Sequence, residues 1–139
     1  MTVPVSHAVR QCAELFRRRL AQPEERRGAV VGCGTGDEVV FLQRELQSPC
    51  VVGLDVAPVF SAAARAEARL ILADAKQLPF PPSSFDFVVS IHSLEHVGDP
   101  HQALAEITRV LRPGGWFYVG VPNRHRLVGY LGSHDATLW

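Results

Sequence analysis

No apolar run in this chain of 139 residues approaches the roughly 20 residues needed to span a bilayer; the longest, Phe87 to Ser90 with Ile91, is strand-sized. No membrane span is expected. A surplus of charge is also missing, since 14 Lys and Arg balance 14 Asp and Glu. A chain that grips nucleic acid over a broad face needs excess Lys and Arg to neutralise phosphates, so nucleic acid is not an expected partner. Cysteine is scarce: Cys12, Cys33 and Cys50 are odd in number and scattered. The N-terminal Met1-Thr2-Val3-Pro4-Val5 lacks the charged and then apolar stretches of a secretory signal. These features predict a reduced, cytoplasmic protein that does not depend on disulfides.

What is present suits one domain, with 47% hydrophobic and 20% charged residues. A domain of this size buries roughly two-thirds of its unfolded surface. Three regions are expected within it: an N-terminal helix region (1–27), a core (28–123) and a tail (124–139). The first region has six arginines against three glutamates, Arg10, Arg17, Arg18, Arg19, Arg26 and Arg27 against Glu14, Glu24 and Glu25. A solvated helix face explains this better than an anionic partner.

Val9, Cys12, Phe16 and Leu20 recur at three- and four-residue spacing and predict a helix that Pro23 closes. Ala29-Val30-Val31 then reads as a buried strand, and Asp37 to Leu46 as a helix with acids in its first turn. The alternation repeats, with strands at Val51 to Leu54, Leu70 to Leu72, Phe85 to Ile91 and Trp116 to Val121. Helices are expected at Val59 to Ala68 and Pro100 to Leu111. Strands alternating with helices imply parallel pairing through right-handed crossovers. The fold class is therefore α/β, a doubly wound, mostly parallel Rossmann-like sheet of about five strands.

In such sheets ligands bind beyond the C-terminal ends of the strands. Gly32-Cys33-Gly34-Thr35-Gly36 follows the first strand and opens a helix, where glycine lets a ligand approach the backbone. By itself this turn is also compatible with no ligand. Asp55 ends the second strand, 19 residues after Gly36, where an acid can accept from ribose hydroxyls. NAD and S-adenosylmethionine (SAM) both satisfy that geometry. The spacing is GxGxG, whereas the dinucleotide fingerprint is GxGxxG, and Asp37 beside the turn would repel a pyrophosphate. A ligand without phosphate is favoured. Asp74, after the third strand, is either an acceptor for an adenine amino group or only a cap or turn residue.

Five ordered motifs carry a resemblance: VVGCGTG (30–36), VVGLDVAP (51–58), ADAKQLPFPPSSFDFVVS (73–90), LEHVGDP (94–100) and EITRVLRPGGWFYVGVPN (106–123). Over about Gly28 to Asn123 the chain resembles the class I SAM-dependent methyltransferases, in particular small-molecule methyltransferases such as those of quinone biosynthesis. The resemblance implies SAM as cofactor and a small-molecule acceptor. Gly32, Cys33, Gly34 and Gly36 would form the cofactor turn, Asp55 would bind the ribose, and Val56 would flank the adenine. Asp74 with the Ala75 amide would read adenine, and Ser90 would line the pocket near the methionine end, with His92 close behind. One departure stands out: Val30 occupies a position where family members usually carry an acid, and an apolar side chain cannot take that role.

Methyl transfer from a sulfonium is an in-line displacement that depends largely on holding nucleophile and methyl together. A base helps where the acceptor is a hydroxyl or acidic carbon. Glu95 and His96 follow the fourth strand and are the candidate catalytic pair. For His96, a role in holding the loop and a role as base or substrate contact both remain open. Zinc binding with His92 lacks a third ligand of suitable spacing, so no metal is expected. Cys33 reads as a small side chain packed under the turn rather than a nucleophile. Leu111-Arg112-Pro113-Gly114-Gly115 reads as a turn from helix to strand.

Class I methyltransferases normally add a C-terminal β-hairpin, and the residues after the fifth strand are too few for it. The expected sheet lacks that hairpin and exposes its fifth strand, an edge at which a homo-dimer could pair. Two functions are carried forward: methyl transfer from SAM to a small molecule, or a non-catalytic SAM-binding or partner-binding module.

Overall fold

A computed structural model describes residues 4–22, 25–122 and 136–137 of the chain. Helix α1 (His7–Arg19) begins where the Ser6 hydroxyl accepts from the Val9 amide, two residues before the periodicity starts. Its buried stripe includes Val9, Cys12 and Phe16, as the spacing requires. The helix ends at Arg19, and Pro23 lies outside the described residues. Arg17 pairs with Glu45, Arg18 with Glu14, and Arg10 lies over the Phe41 ring. Much of the basic surplus is thus spread along a solvated face with local partners.

Strands β1 (Gly28–Val31), β2 (Val51–Asp55), β3 (Arg69–Leu72), β4 (Phe85–Ile91) and β5 (Leu111–Pro122) are parallel in the order β3-β2-β1-β4-β5. A two-residue strand β6 (Ala136–Thr137) pairs antiparallel with Val121 and Pro122. The expected bare edge is therefore occupied at its end; the rest of the tail from 124 lies outside the described residues. Helices α2 (Asp37–Leu46), α3 (Ala62–Glu67) and α4 (Pro100–Val110) complete the alternation. Strand order reverses between β1 and β4, because β2 and β3 are added on one side of β1 and β4 and β5 on the other, which is the switch point where a doubly wound sheet opens a crevice.

Two cores flank the sheet. On one face α1 and α2 cover Val30, Phe87, Val89 and Tyr118, with Phe16 and Phe87 rings 4.9 Å apart. The Tyr118 hydroxyl donates to the Ala8 carbonyl at 3.1 Å and ties α1 to β5. On the other face α4 covers Val31, Leu54 and Val88. Among the described residues no helix connects β3 to β4; Leu78, Phe80 and Phe85 fill that side instead.

Three local expectations change. The third helix starts at Ala62 rather than Val59, because the Ser61 hydroxyl caps it by accepting from the Ala64 amide. β3 begins at Arg69 rather than Leu70, and as an edge strand it is covered only in part, with Leu72 57% exposed. The fifth strand begins at Leu111, not Trp116: Leu111 already pairs with Phe85, and the chain bulges before Trp116 pairs with Phe87. The Arg-Pro-Gly-Gly segment is thus a bulge inside a strand, with Gly114 at a φ of +79°. Among the described residues no helix is long and apolar enough to cross a membrane.

Candidate SAM-binding site

A cavity of about 430 Å³ opens at the C-terminal ends of β1, β2 and β4. That volume lies within the range of small-molecule pockets, about 300–1,000 Å³. Gly32, Gly34, Asp55, Val56, Asp74 and Ala75 stand on its wall. His92, Ser93, His96, Val97 and Gly98, from the segment after β4, line it as well. Sequence elements separated by up to 66 residues therefore meet in one place, because each follows a strand of the same parallel sheet.

The three turn glycines have different duties. Gly32 has a φ of +74°, and a Cβ there would lie 1.8 Å from the Ser93 hydroxyl. This close approach joins the end of β1 to the segment after β4, across the switch point. Gly34 has a φ of +54° with nothing within 4 Å of its missing Cβ, so its backbone faces open space. Gly36, at +86°, packs against Leu70 and Ala64 and does not line the cavity. Its expected cofactor contact gives way to helix packing.

Asp55 holds the turn as well as facing the cavity. Its Oδ2 accepts from the Gly34 amide at 2.8 Å and its Oδ1 from the Ala57 amide at 3.0 Å. Each carboxylate oxygen can accept again, so the group remains available to hydroxyl donors. Asp74 sits in a turn, accepting from the Lys76 amide at 2.8 Å, with the Lys76 ammonium 3.8 Å from its other oxygen. Val56, between these two acids, is 70% exposed. An apolar side chain left in water on a cavity wall is a surface that a flat, apolar ligand face would cover.

The start of α2 is acidic and already satisfied. Asp37 accepts from the Thr35 and Ser61 hydroxyls, each at 2.8 Å, while Glu38 accepts from Ser6 at 2.7 Å. Two carboxylates in the first turn of α2 make that helix start unfavourable for a phosphate by charge. The structural arrangement agrees with a ligand that has none.

Cys33 and Ser90 lie outside the cavity lining. Cys33 is 5% exposed, and a Cβ on Gly53 would come within 2.9 Å of its sulfur, so it packs between the turn and β2. Burial, and then the nearby Asp55 carboxylate, push its thiol up to about 12. It stays protonated at neutral pH and is no nucleophile. In the native protein at pH 8, a disulfide reagent is expected to label exposed Cys50 and to reach Cys12 and Cys33 only after denaturation; rapid native labelling of Cys33 would contradict its burial. Ser90 is fully buried on β4, and its hydroxyl has no hydrogen-bond partner among the described residues. Val30 is 1% exposed within the core under α1, so it too stays away from the ligand.

Glu95 and His96 form a single 3-10 turn, Leu94–His96, directly after β4. The His96 side chain is 79% exposed and lies 3.8 Å from Glu95, whose own side chain is only 17% exposed. The imidazole is therefore accessible to a substrate at the cavity mouth, whereas the carboxylate is tucked beneath it. Among the described residues no cluster of three His, Cys, Asp or Glu is placed to hold a metal ion. His92, at a φ of +52°, and Ser93 also reach the cavity. Neither the Ser93 approach nor Lys76 on the wall was singled out by sequence pattern, because neither belongs to a recognisable spacing.

Residues 29–119 match a protein family described as a methyltransferase domain. The chain belongs to the class I SAM-dependent methyltransferase family. Among known proteins it is 40% identical over 89 residues to the demethylmenaquinone methyltransferase of Thermus thermophilus, covering 59% of this chain and 40% of that protein. A SAM-dependent methyltransferase structure from Thermotoga maritima aligns with a TM-score of 0.66 and 29% identity, over 84% of this chain and 53% of that one. A methyltransferase-type chain solved in complex with a methyltransferase activator from Haloferax volcanii gives 0.65 and 28%, over 82% and 57%. The chain spans about 40% of the length of the first curated relatives it matches.

Proposed function

We propose that the chain binds SAM in the cavity at the switch point and transfers its methyl group to a small-molecule acceptor. The observation that carries this reading is that two carboxylates, Asp55 and Asp74, line the same cavity as exposed Val56. Such a set suits a nucleoside: ribose hydroxyls on Asp55, the purine face over Val56, and the exocyclic amino group toward Asp74 and the Ala75 amide. The methionine portion would then run past Gly32 and Gly34 toward Ser93. When bound, SAM supplies the electrophilic methyl group. The chain's own residues hold the donor, exclude water, and leave the methyl end facing the His96 side of the cavity.

His96 is the residue best placed to take a proton from an incoming acceptor, since its ring is exposed beside half-buried Glu95 and lines the cavity. Titration calorimetry with S-adenosylhomocysteine should give saturable binding, and NAD should give none. No heat with S-adenosylhomocysteine at high micromolar concentration would sink the cofactor assignment. Once an acceptor is in hand, His96→Ala is expected to lower turnover about 10²-fold or more while changing cofactor affinity little. Equal losses in both would assign His96 to loop structure.

One observation favours a second reading, a SAM-binding module that works with a partner. The neighbour solved with an activator shows that a chain of similar fold is found in such a complex. Methyl transfer by this chain alone would decide for the first reading, and SAM binding without transfer until a partner is added would decide for the second.

A further inference from the structure

The turn that carries Asp74 belongs to an irregular stretch between β3 and β4, where no helix of its own supports it. A carboxylate that reads one amino group of a purine must nevertheless be held within about 0.5 Å of its working position. Support comes from α4, whose residues 102, 106 and 109 follow i, i+4, i+7 spacing and so share one helix face.

Each of the three reaches the backbone of the irregular stretch. Gln102 donates its side-chain amide to the Lys76 carbonyl at 3.0 Å. Glu106 accepts from the Leu78 amide at 2.7 Å. Arg109 donates to the Phe80 carbonyl at 2.8 Å and to the Leu78 carbonyl at 3.0 Å. Glu106 and Arg109 also form a two-point fork, with N to O distances of 2.7 and 2.9 Å. Lys76 is the link to the site, because its amide is the donor that Asp74 accepts. The N-terminus of α4, at the Asp99 cap, directly follows Val97 and Gly98, which also line the cavity.

We infer that Gln102, Glu106 and Arg109 are positioning residues that hold the Asp74 turn in register for a 6-aminopurine, and so set the base selectivity of the cofactor site. The inference rests on the SAM reading above. None of the three lines the cavity; they act through the Lys76 to Phe80 backbone. The Arg109 guanidinium also holds the Glu106 carboxyl below the usual carboxylate range. Lysine cannot replace Arg109, since a single ammonium does not reproduce a planar fork and two carbonyl bonds together.

The test compares S-adenosylhomocysteine with S-inosylhomocysteine, which carries a carbonyl in place of the purine amino group, by calorimetry on the full chain. Wild type is expected to prefer the adenine compound roughly tenfold or more, and Arg109→Lys should narrow that preference to about two- to threefold, mainly by weakening the adenine compound. Gln102→Leu, on the exposed side of the helix, provides a milder variant should Arg109→Lys fold poorly, and it should narrow the preference in the same direction. Hydrogen exchange at the Lys76 and Leu78 amides of the unliganded chain should quicken in either variant.

Equal weakening of both compounds, or an unchanged preference with faster exchange, overturns the positioning role and leaves SAM binding intact. Failure of wild type to bind either compound would instead overturn the cofactor reading, and the selectivity inference with it.

Discussion

Asp55→Ala is expected to raise the dissociation constant for S-adenosylhomocysteine about a hundredfold or more. Hydrogen bonds to a charged group contribute roughly 1.5–3 kcal/mol each, and a nucleoside would lose two of them. The variant also releases the Gly34 and Ala57 amides that Asp55 now holds at 2.8 and 3.0 Å, so the turn that cradles the ligand loosens at the same time. Asp55→Asn separates these effects in part. Its amide keeps one acceptor oxygen, so one of the two backbone bonds survives and the loss should be smaller. Calorimetry gives the affinity, and an Asp55→Ala affinity within about threefold of wild type would reduce Asp55 to a structural staple of the turn.

The second large effect concerns stability. Gly32→Ala places a Cβ 1.8 Å from the Ser93 hydroxyl in a backbone with a φ of +74°. Left-handed backbone costs a non-glycine residue about 1–2 kcal/mol. Overpacking adds about 1–3 kcal/mol, so urea unfolding should show a loss of about 3 kcal/mol in all. Gly34→Ala meets nothing within 4 Å, so only the backbone cost applies and the loss should stay near 1–2 kcal/mol. Ser93→Gly in the Gly32→Ala background should recover part of the difference, because it removes the atoms that clash. Equal destabilisation by the two alanines, with no recovery, would refute the close approach of β1 to the segment after β4.

Much of the architecture was legible because its signals are local. Short apolar runs ending in Gly or Asp marked β1 and β2, and the stripe of Val9, Cys12 and Phe16 marked α1. Boundaries shifted where a side chain or pairing partner intervened. Ser61 caps α3 later than its alanines suggest, and pairing with Phe85 draws Leu111 into β5 before the glycines. The two-residue β6 pairing at the end of β5 depends on a segment far along the chain and has no periodic signal.

The site was legible to a similar depth. Gly32, Gly34, Asp55 and Asp74 were singled out because they follow strands, and parallel strands place such residues at one edge of the sheet; Ala75 came only from the family resemblance. Pattern did not distinguish Gly34, open to the cavity, from Gly36, packed on Leu70 and Ala64. Nor did it show that Ser90 is buried on β4 and stays outside the cavity lining. The α4 contacts to Lys76, Leu78 and Phe80 join residues 26 to 31 positions apart, so no local spacing announces them.

By itself the sequence determined a doubly wound α/β sheet, a glycine turn hostile to phosphate, and two acids at strand ends, since these follow from periodicity, turn chemistry and charge along the chain. Tertiary structure alone decided which of those groups face the cavity, what each already holds, and which helix braces the stretch after Asp74. Those outcomes depend on close approaches and hydrogen bonds between distant segments, whose distances exist only once the sheet has brought its strand ends together.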